Sequence, residues 1–168
     1  ALLSRLSKSG KYHVDTAGVL GVLVYVLQEQ GRYQEAEQLQ RQVIEIYAGL
    51  GYSAESGTMV GAQSFLAQLF NLQRRYDEAS KLYDQIDVWT AKWEPSRREA
   101  MSGGLARISV MLIQGNATNV LEIAQRTFER ERAQSGDKSL NTAVARGYYA
   151  VALARAGARF AKGVIVER

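Results

Sequence analysis

Apolar residues recur along this chain at three- and four-residue steps, separated by short polar breaks. Leu20, Leu23, Val24 and Leu27 form one such stripe, and Ala36, Leu39, Val43 and Ile46 form the next. That spacing places each set on one face of an α-helix. Between them lies Gly31, which tolerates the positive φ that often ends a helix. The segment therefore reads as helix, tight turn, helix. The plan recurs. Leu66, Leu69 and Phe70 lead to Arg74, and Ala79, Leu82, Tyr83 and Ile86 follow. Ile108, Met111 and Leu112 lead to Gly115, followed by a weaker stripe of Val120, Ala124, Thr127 and Phe128. Pro95 blocks helix continuation ahead of this third pair, and Ser96 with Glu99 has capping-box spacing. A fourth pair is expected from Ser139 through Tyr148, Tyr149 and Leu153 to a turn at Gly157, with a poorly written second helix in "GARFAKGVIVER".

The second helices share wording as well as pattern. "QGRYQEAEQLQ" at Gln30 to Gln40 is echoed by "QRRYDEASKLY" at Gln73 to Tyr83, with Tyr33 and Tyr76, Glu35 and Glu78, and Ala36 and Ala79 each 43 residues apart. Gly18, Gly61, Gly104 and Gly147 keep the same 43-residue interval, each early in a first helix. Glycine inside a helix costs about 1 kcal/mol against alanine. Either close approach of helix backbones or space left in a groove is expected to account for it. The two rulers separate later: Gly18 to Gly31 and Gly61 to Arg74 are both 13 residues, whereas Gly104 to Gly115 is 11 and Gly147 to Gly157 is 10.

"QGRYQEAEQLQRQVIEIY" and "QRRYDEASKLYDQI" resemble the turn and second helix of tetratricopeptide (TPR) repeats, with Ala36 and Ala79 at that family's close-packing positions. A repeat near 42 residues is similar to the longer variety found in kinesin light chains and in bacterial arrays, some of them joined to caspase-like protease domains. The resemblance covers roughly residues 15–157. The early tryptophan of the family pattern is missing, and a closing proline occurs only as Pro95. One hairpin cannot bury its apolar face alone, and stacked hairpins bury a continuous ribbon of core. The expected fold is an all-α, right-handed solenoid of antiparallel helical hairpins, a TPR-like superhelix. First helices would line its concave face and second helices its convex one. A single domain over residues 1–168 is expected, with repeats at about 15–50, 56–93, 96–134 and a partial one at 138–168. It would be a fragment of a longer array, opening on a helix remnant in "ALLSRL".

Composition narrows the chemistry. The 168 residues are 46% apolar and 23% charged, ordinary for a globular chain. There is no cysteine, so disulfides, thiolate nucleophiles and Cys-ligated metals are excluded. The longest apolar run, "GVLGVLVYVL", falls short of a membrane span. The single histidine, His13, reads as a solvated or capping loop residue; two positions, His13 and Asp15, make no triad. "MSGGLAR" lacks the ending of a phosphate loop and lies in a helix pattern. Asp84 and Asp87 suit a solvent face, and Tyr83, Trp89 and Trp93 read as core. The formal charge of +4 is uneven: residues 97–168 carry 12 basic and 6 acidic residues. A solvated basic face accounts for that, and an acidic partner is the sharper alternative.

Each first helix offers two residues pointing away from its partner, six and three positions before the turn. They are Tyr25 and Gln28, then Gln68 and Asn71, then Ser109 and Leu112, with Ser64 one helical turn before Gln68. The stripes Leu23, Val24, Leu27 and Leu66, Leu69, Phe70 are expected to face the other way. By resemblance to the TPR family, Tyr25, Gln28, Ser64, Gln68, Asn71 and Ser109 would line a peptide groove. The expected function is non-catalytic protein–protein interaction, holding a peptide or a segment of the same polypeptide and regulating an effector. No enzyme activity, cofactor or metal is expected, and the setting is cytoplasmic, with no membrane partner. Two alternatives stand. One is a nucleic-acid-binding helical repeat, disfavoured because Tyr25, Gln68 and Ser109 form no recurring base-reading set. The other is an oligomerisation scaffold that self-associates through terminal repeats, with "AKGVIVER" as its apolar edge.

Overall fold

The computed structural model describes residues 13–101, 104–115 and 117–166, with the backbone alone at 117–119 and 158–166. Every regular element among them is a helix: α1 (Val14–Glu29), α2 (Tyr33–Gly49), α3 (Gly57–Leu72), α4 (Tyr76–Trp89), α5 (Pro95–Met101), α6 (Gly104–Gln114), α7 (Ala117–Ser135) and α8 (Leu140–Val166). The all-α helical-hairpin architecture expected from the sequence is the one found. The chain divides into two compact units, Ala1–Gly103 and Gly104–Arg168. The helix remnant expected in "ALLSRL" lies outside the described residues, as do the side chains of "AKGVIVER".

In the first unit, the α1–α2 hairpin closes over Ala17, Leu20, Val43 and Ile46. Further along, Val24, Leu27 and Ala36 meet Leu69 of α3, so the first hairpin buries apolar surface against the second. Ala36 and Ala79 are both fully buried. Leu23, expected on the buried stripe, is 37% exposed instead. The face defined by Leu20, Val24 and Leu27 is complete without it.

The turns explain the repeated wording. Gly31 takes φ 73°, its N–H bonds the Gln28 carbonyl at 2.9 Å, and the Arg32 N–H reaches the Leu27 carbonyl at 2.9 Å. This is the paired-bond C-terminal cap that a left-handed residue permits. The same two bonds recur 43 residues on, from Arg74 to Asn71 and from Arg75 to Phe70, both 2.9 Å. Arg74 adopts φ 61° without being glycine. After each turn an arginine clasps the glutamate three residues ahead: Arg32 with Glu35 at 2.6 Å and Arg75 with Glu78 at 2.6 Å. A carboxylate in the first helical turn also suits the helix dipole.

Arg75 does more than its counterpart. Its Nη1 reaches back to Glu37 of α2 at 2.6 Å, where Arg41 also donates at 2.8 Å and Gln73 at 2.8 Å. The Arg75 guanidinium lies 4.5 Å from the Phe70 ring centroid. Burial by itself would raise the Glu37 carboxyl; hydrogen bonds from Gln73 and Arg41, with the charges of Arg75 and Arg41, outweigh it and hold the group below the usual carboxylate range.

α5 begins at Pro95, with the Arg98 N–H bonded to the Glu94 carbonyl at 3.0 Å. Ser96 therefore sits inside the helix and does not cap it. Proline is favoured in the first turn because its missing N–H would be unpaired there anyway. Asp87 of α4 is paired with Arg98 at 3.2 Å, so it braces α5 where a solvent-facing role was expected. Tyr83 is buried as expected, whereas Trp89 and Trp93 are only half-buried, and Arg97 covers the Trp93 ring at 4.1 Å.

The second unit packs Ile108 and Leu112 of α6 against Val120 and Ala124 of α7 and Ala152 of α8. Phe128 stacks on Tyr149 at 6.1 Å, with Arg146 5.6 Å from the Phe128 ring. Asp137 gathers Arg132 at 2.8 Å and Arg146 at 3.4 Å, and Arg155 donates to the Leu112 carbonyl at the end of α6. The turn expected at Gly157 is absent: α8 runs from Leu140 to Val166 through it. A lone glycine weakens a helix without ending it, and no proline follows to enforce a stop.

Candidate functional site

The outward positions of α1 and α3 lie side by side in the first unit. Tyr25 is 57% exposed, and Gln28, Gln68 and Asn71 are half-buried. The Gln68 amide donates to Gln28 Oε1 across the two helices at 3.4 Å, a long and weak bond. The Gln28 amide in turn lies 3.5 Å from Glu29 Oε1. These four side chains form an amide-and-phenol strip that crosses from one first helix to the next.

Ser64 belongs to this stripe but is committed. It is buried, and its hydroxyl donates to the Met101 carbonyl at the end of α5 at 2.7 Å. It ties α3 to α5 and offers no free hydroxyl to a ligand. Ser109 lies in the second unit, half-buried, and donates back to the Ala106 carbonyl at 2.8 Å. That local bond competes with outside partners. Leu112, expected to point outward, is buried in the core of the second unit. Its spacing fits both the apolar stripe and the outward set, and burial decides for the stripe.

The glycine ruler marks residues that the turn ruler missed. A Cβ on Gly18 or Gly21 would meet nothing within 4 Å, so close helix approach does not explain either glycine. Gly61 differs: a Cβ there would lie 3.3 Å from the Met101 methyl. Shifted by 43 residues, Gly18, Gly21, Tyr25 and Gln28 become Gly61, Ser64, Gln68 and Asn71. The first helices thus carry a matched strip, small residues in the first half and amides or tyrosine in the second. The signal was in the sequence, as the position of Gly21 relative to Ser64.

His13 is the N-cap of α1. Its Nδ1 accepts from the Asp15 N–H at 3.1 Å, the capping role allowed for it. Among the described residues no group of three His, Cys, Asp or Glu side chains converges on a metal-sized site, and no helix is long and apolar enough to cross a membrane.

Two antiparallel helical hairpins in register, with first helices adjacent, define the class of this unit as a helical repeat. The comparisons agree. Residues 16–48 match the tetratricopeptide repeat family. The chain is similar to crystal structures of nearly identical TPR-like repeats from a Podosopora anserina protein described as a putative kinesin light chain. One is at TM-score 0.66 and 19% identity, over 99% of this chain and 79% of that one. A single-substitution variant of those repeats matches equally, at TM-score 0.66 and 19% identity, over 99% of this chain and 78% of that one. No curated protein matches the sequence.

Proposed function

We infer that the chain is a protein-interaction module that holds an extended peptide segment across α1 and α3. The observation that carries this is the Gln28–Gln68 amide contact, 3.4 Å long and half-buried, at the end of an α1 strip that runs from the open space over Gly18 and Gly21 through the exposed Tyr25. A weak side-chain amide bond is readily exchanged for bonds to a peptide backbone. Gly18 and Gly21 on the α1 face leave room for the backbone to approach. The fold similarity and the family match at residues 16–48 support an interaction role in general terms.

The basic second part of the chain gives less support to nucleic-acid binding. Arg132 and Arg146 converge on Asp137, Arg126 pairs with Glu122 at 3.7 Å, and Arg155 is spent on a backbone carbonyl. An array that tracks phosphates needs arginines turned outward together.

The test starts from a peptide selected against the full chain from a random display library. Each net hydrogen bond is worth about 1 kcal/mol, so Gln28→Ala with Gln68→Ala should weaken that peptide roughly tenfold to thirtyfold. The thermal midpoint should stay nearly unchanged. Full affinity in the double variant would sink this assignment of the site. Weakened binding with a collapsed midpoint would mean that the amides are structural.

A further inference from the structure

Arginine recurs in this chain in one arrangement: a guanidinium lies near an aromatic ring and is fixed by a carboxylate. Arg75 lies 4.5 Å from the Phe70 ring centroid and bonds Glu37 at 2.6 Å. Arg41 lies 5.5 Å from the same centroid and bonds the same carboxylate at 2.8 Å. In the second unit, Arg146 lies 5.6 Å from the Phe128 centroid and 3.4 Å from Asp137. The face of a ring attracts a cation, and a planar guanidinium can stack there while its edge nitrogens hydrogen-bond.

On α1 the ring and the carboxylate are present without the arginine. Tyr25, 57% exposed, is the most exposed aromatic side chain among the described residues. Glu29 is also exposed and stands four residues on, and residues four apart are neighbours on a helix surface. Among the described residues no lysine or arginine pairs with Glu29 or covers Tyr25; the Glu29 carboxylate has only the 3.5 Å contact from the Gln28 amide. Arg32, in the turn that follows, is clasped by Glu35 at 2.6 Å. Glu29 also ends α1, whose last turn holds no basic residue, so the negative end of the helix dipole adds to its charge.

The surrounding charge has the same sign. α1 and α3 contain no lysine or arginine, and their charged residues are Asp15 and Glu29, both on α1. Residues 13–101 carry 12 acidic side chains against 8 basic, although the whole chain is +4. Arg97 stands beside Gly57 at the N-terminal end of α3, with its guanidinium over Trp93, and Glu29 lies at the C-terminal end of α1.

We propose that the ligand held across α1 and α3 is an arginine-bearing peptide whose guanidinium stacks on Tyr25 and hydrogen-bonds Glu29. This rests on the peptide reading and adds to it the side chain that the site selects. Arginine suits the pair better than lysine, because one planar group can lie on the ring and still present an edge of N–H donors to the carboxylate. The Gln28 and Gln68 amides remain for the peptide backbone, and Gly18 and Gly21 leave it room.

The test uses peptides selected against the full chain from a random display library, whose tightest binders should share an arginine. Replacing that arginine by citrulline, which keeps the shape and removes the charge, should weaken binding about tenfold, and lysine about threefold. In Glu29→Gln and in Tyr25→Leu the citrulline penalty should shrink to about threefold, since each variant removes one of the two contacts. Thermal midpoints should not move, because both side chains are exposed. Binders that share no arginine, full affinity for the lysine peptide, or a citrulline penalty equal in the parent and both variants would overturn the proposal. The peptide reading survives those results if Gln28→Ala with Gln68→Ala still weakens the peptide. Full affinity in that double variant, with the citrulline coupling intact, would refute the amide contacts and leave the arginine contact standing. A display that returns no binder would overturn both.

Discussion

Replacing Glu37 by glutamine tests the polar link between the first two hairpins. The side chain is 11% exposed and takes charged hydrogen bonds from Arg75 and Arg41 and a neutral one from Gln73. Removing one partner of a fully buried ion pair costs about 3–5 kcal/mol. Two features reduce that here. Arg75 keeps Glu78 on its other edge, and Arg41, 54% exposed, returns to water. Glutamine also keeps the volume and one acceptor oxygen. The expected loss is about 1–2 kcal/mol at pH 7, read from urea unfolding with unchanged slope. Thermal midpoints move by about 4–8 °C per kcal/mol in a unit of this size.

The pH dependence separates charge from packing. The Glu37 carboxyl titrates below its ordinary value of 4.5, so it binds protons less readily in the folded state. Its contribution is complete above the unfolded value and is lost as pH falls through the lower, folded one. The gap between the parent protein and Glu37→Gln should therefore be full at pH 7 and close progressively below about pH 4.5. Glu35 and Glu78 titrate in both proteins and largely cancel in the difference. A gap that persists undiminished at pH 3 would mean that the substitution acts through packing. No gap at pH 7 would mean that the network contributes nothing to stability.

Two other perturbations follow from the turns and the close-packed alanines. Arg74→Gly should stabilise by about 0.5–1 kcal/mol, because φ 61° strains an L-residue that glycine relieves, and urea unfolding would register it as a raised midpoint. Ala36→Leu and Ala79→Leu should each cost about 1–3 kcal/mol in the same assay, since both sites are fully buried and leave no room for added methylenes.

The fold was legible where the local rules agreed. Gly31 announced its turn through the backbone it needs, and the stripes around it were long enough to fix both helix faces. Arg74 was readable only by copy, since nothing about arginine predicts positive φ. An isolated residue is a weak signal: Gly157 makes no turn because nothing after it stops a helix, and Ser96 is no cap because Pro95 has already opened the helix. In the third pair the positions three and six residues before Gly115 are the buried Leu112 and Ser109, whose hydroxyl bonds the Ala106 carbonyl, so the outward register of the first two pairs does not carry over. Of the candidate strip, spacing marks Tyr25, Gln28, Gln68 and Asn71 as outward positions, but it does not reveal that the Ser64 hydroxyl belongs to Met101. That bond spans 37 residues and depends on where α5 comes to rest.

The engaged polar groups and the weakly bonded ones divide the labour on α3. Three bonds fix this helix from different sides: the buried Gln40 amide donates to the Ala62 carbonyl at 2.7 Å, Ser64 holds Met101 at 2.7 Å, and Arg75 beyond the C-terminal turn holds Glu37 at 2.6 Å. Each involves a group at least partly withdrawn from water, where a lost bond is costly. The outward strip does not share that burden, because the Gln28–Gln68 contact is long and half-solvated. A surface arranged this way presents its amides at fixed positions without depending on them for stability. Under the proposed peptide reading, binding would cost little ordering of the protein, and the penalty would fall mainly on the ligand. By this logic Glu37→Gln should also weaken peptide binding modestly, although Glu37 lies on the second-helix side, because it loosens the frame that holds Gln68 beside Gln28. Unchanged peptide affinity in a measurably destabilised Glu37→Gln protein would separate the frame from the strip and refute that coupling.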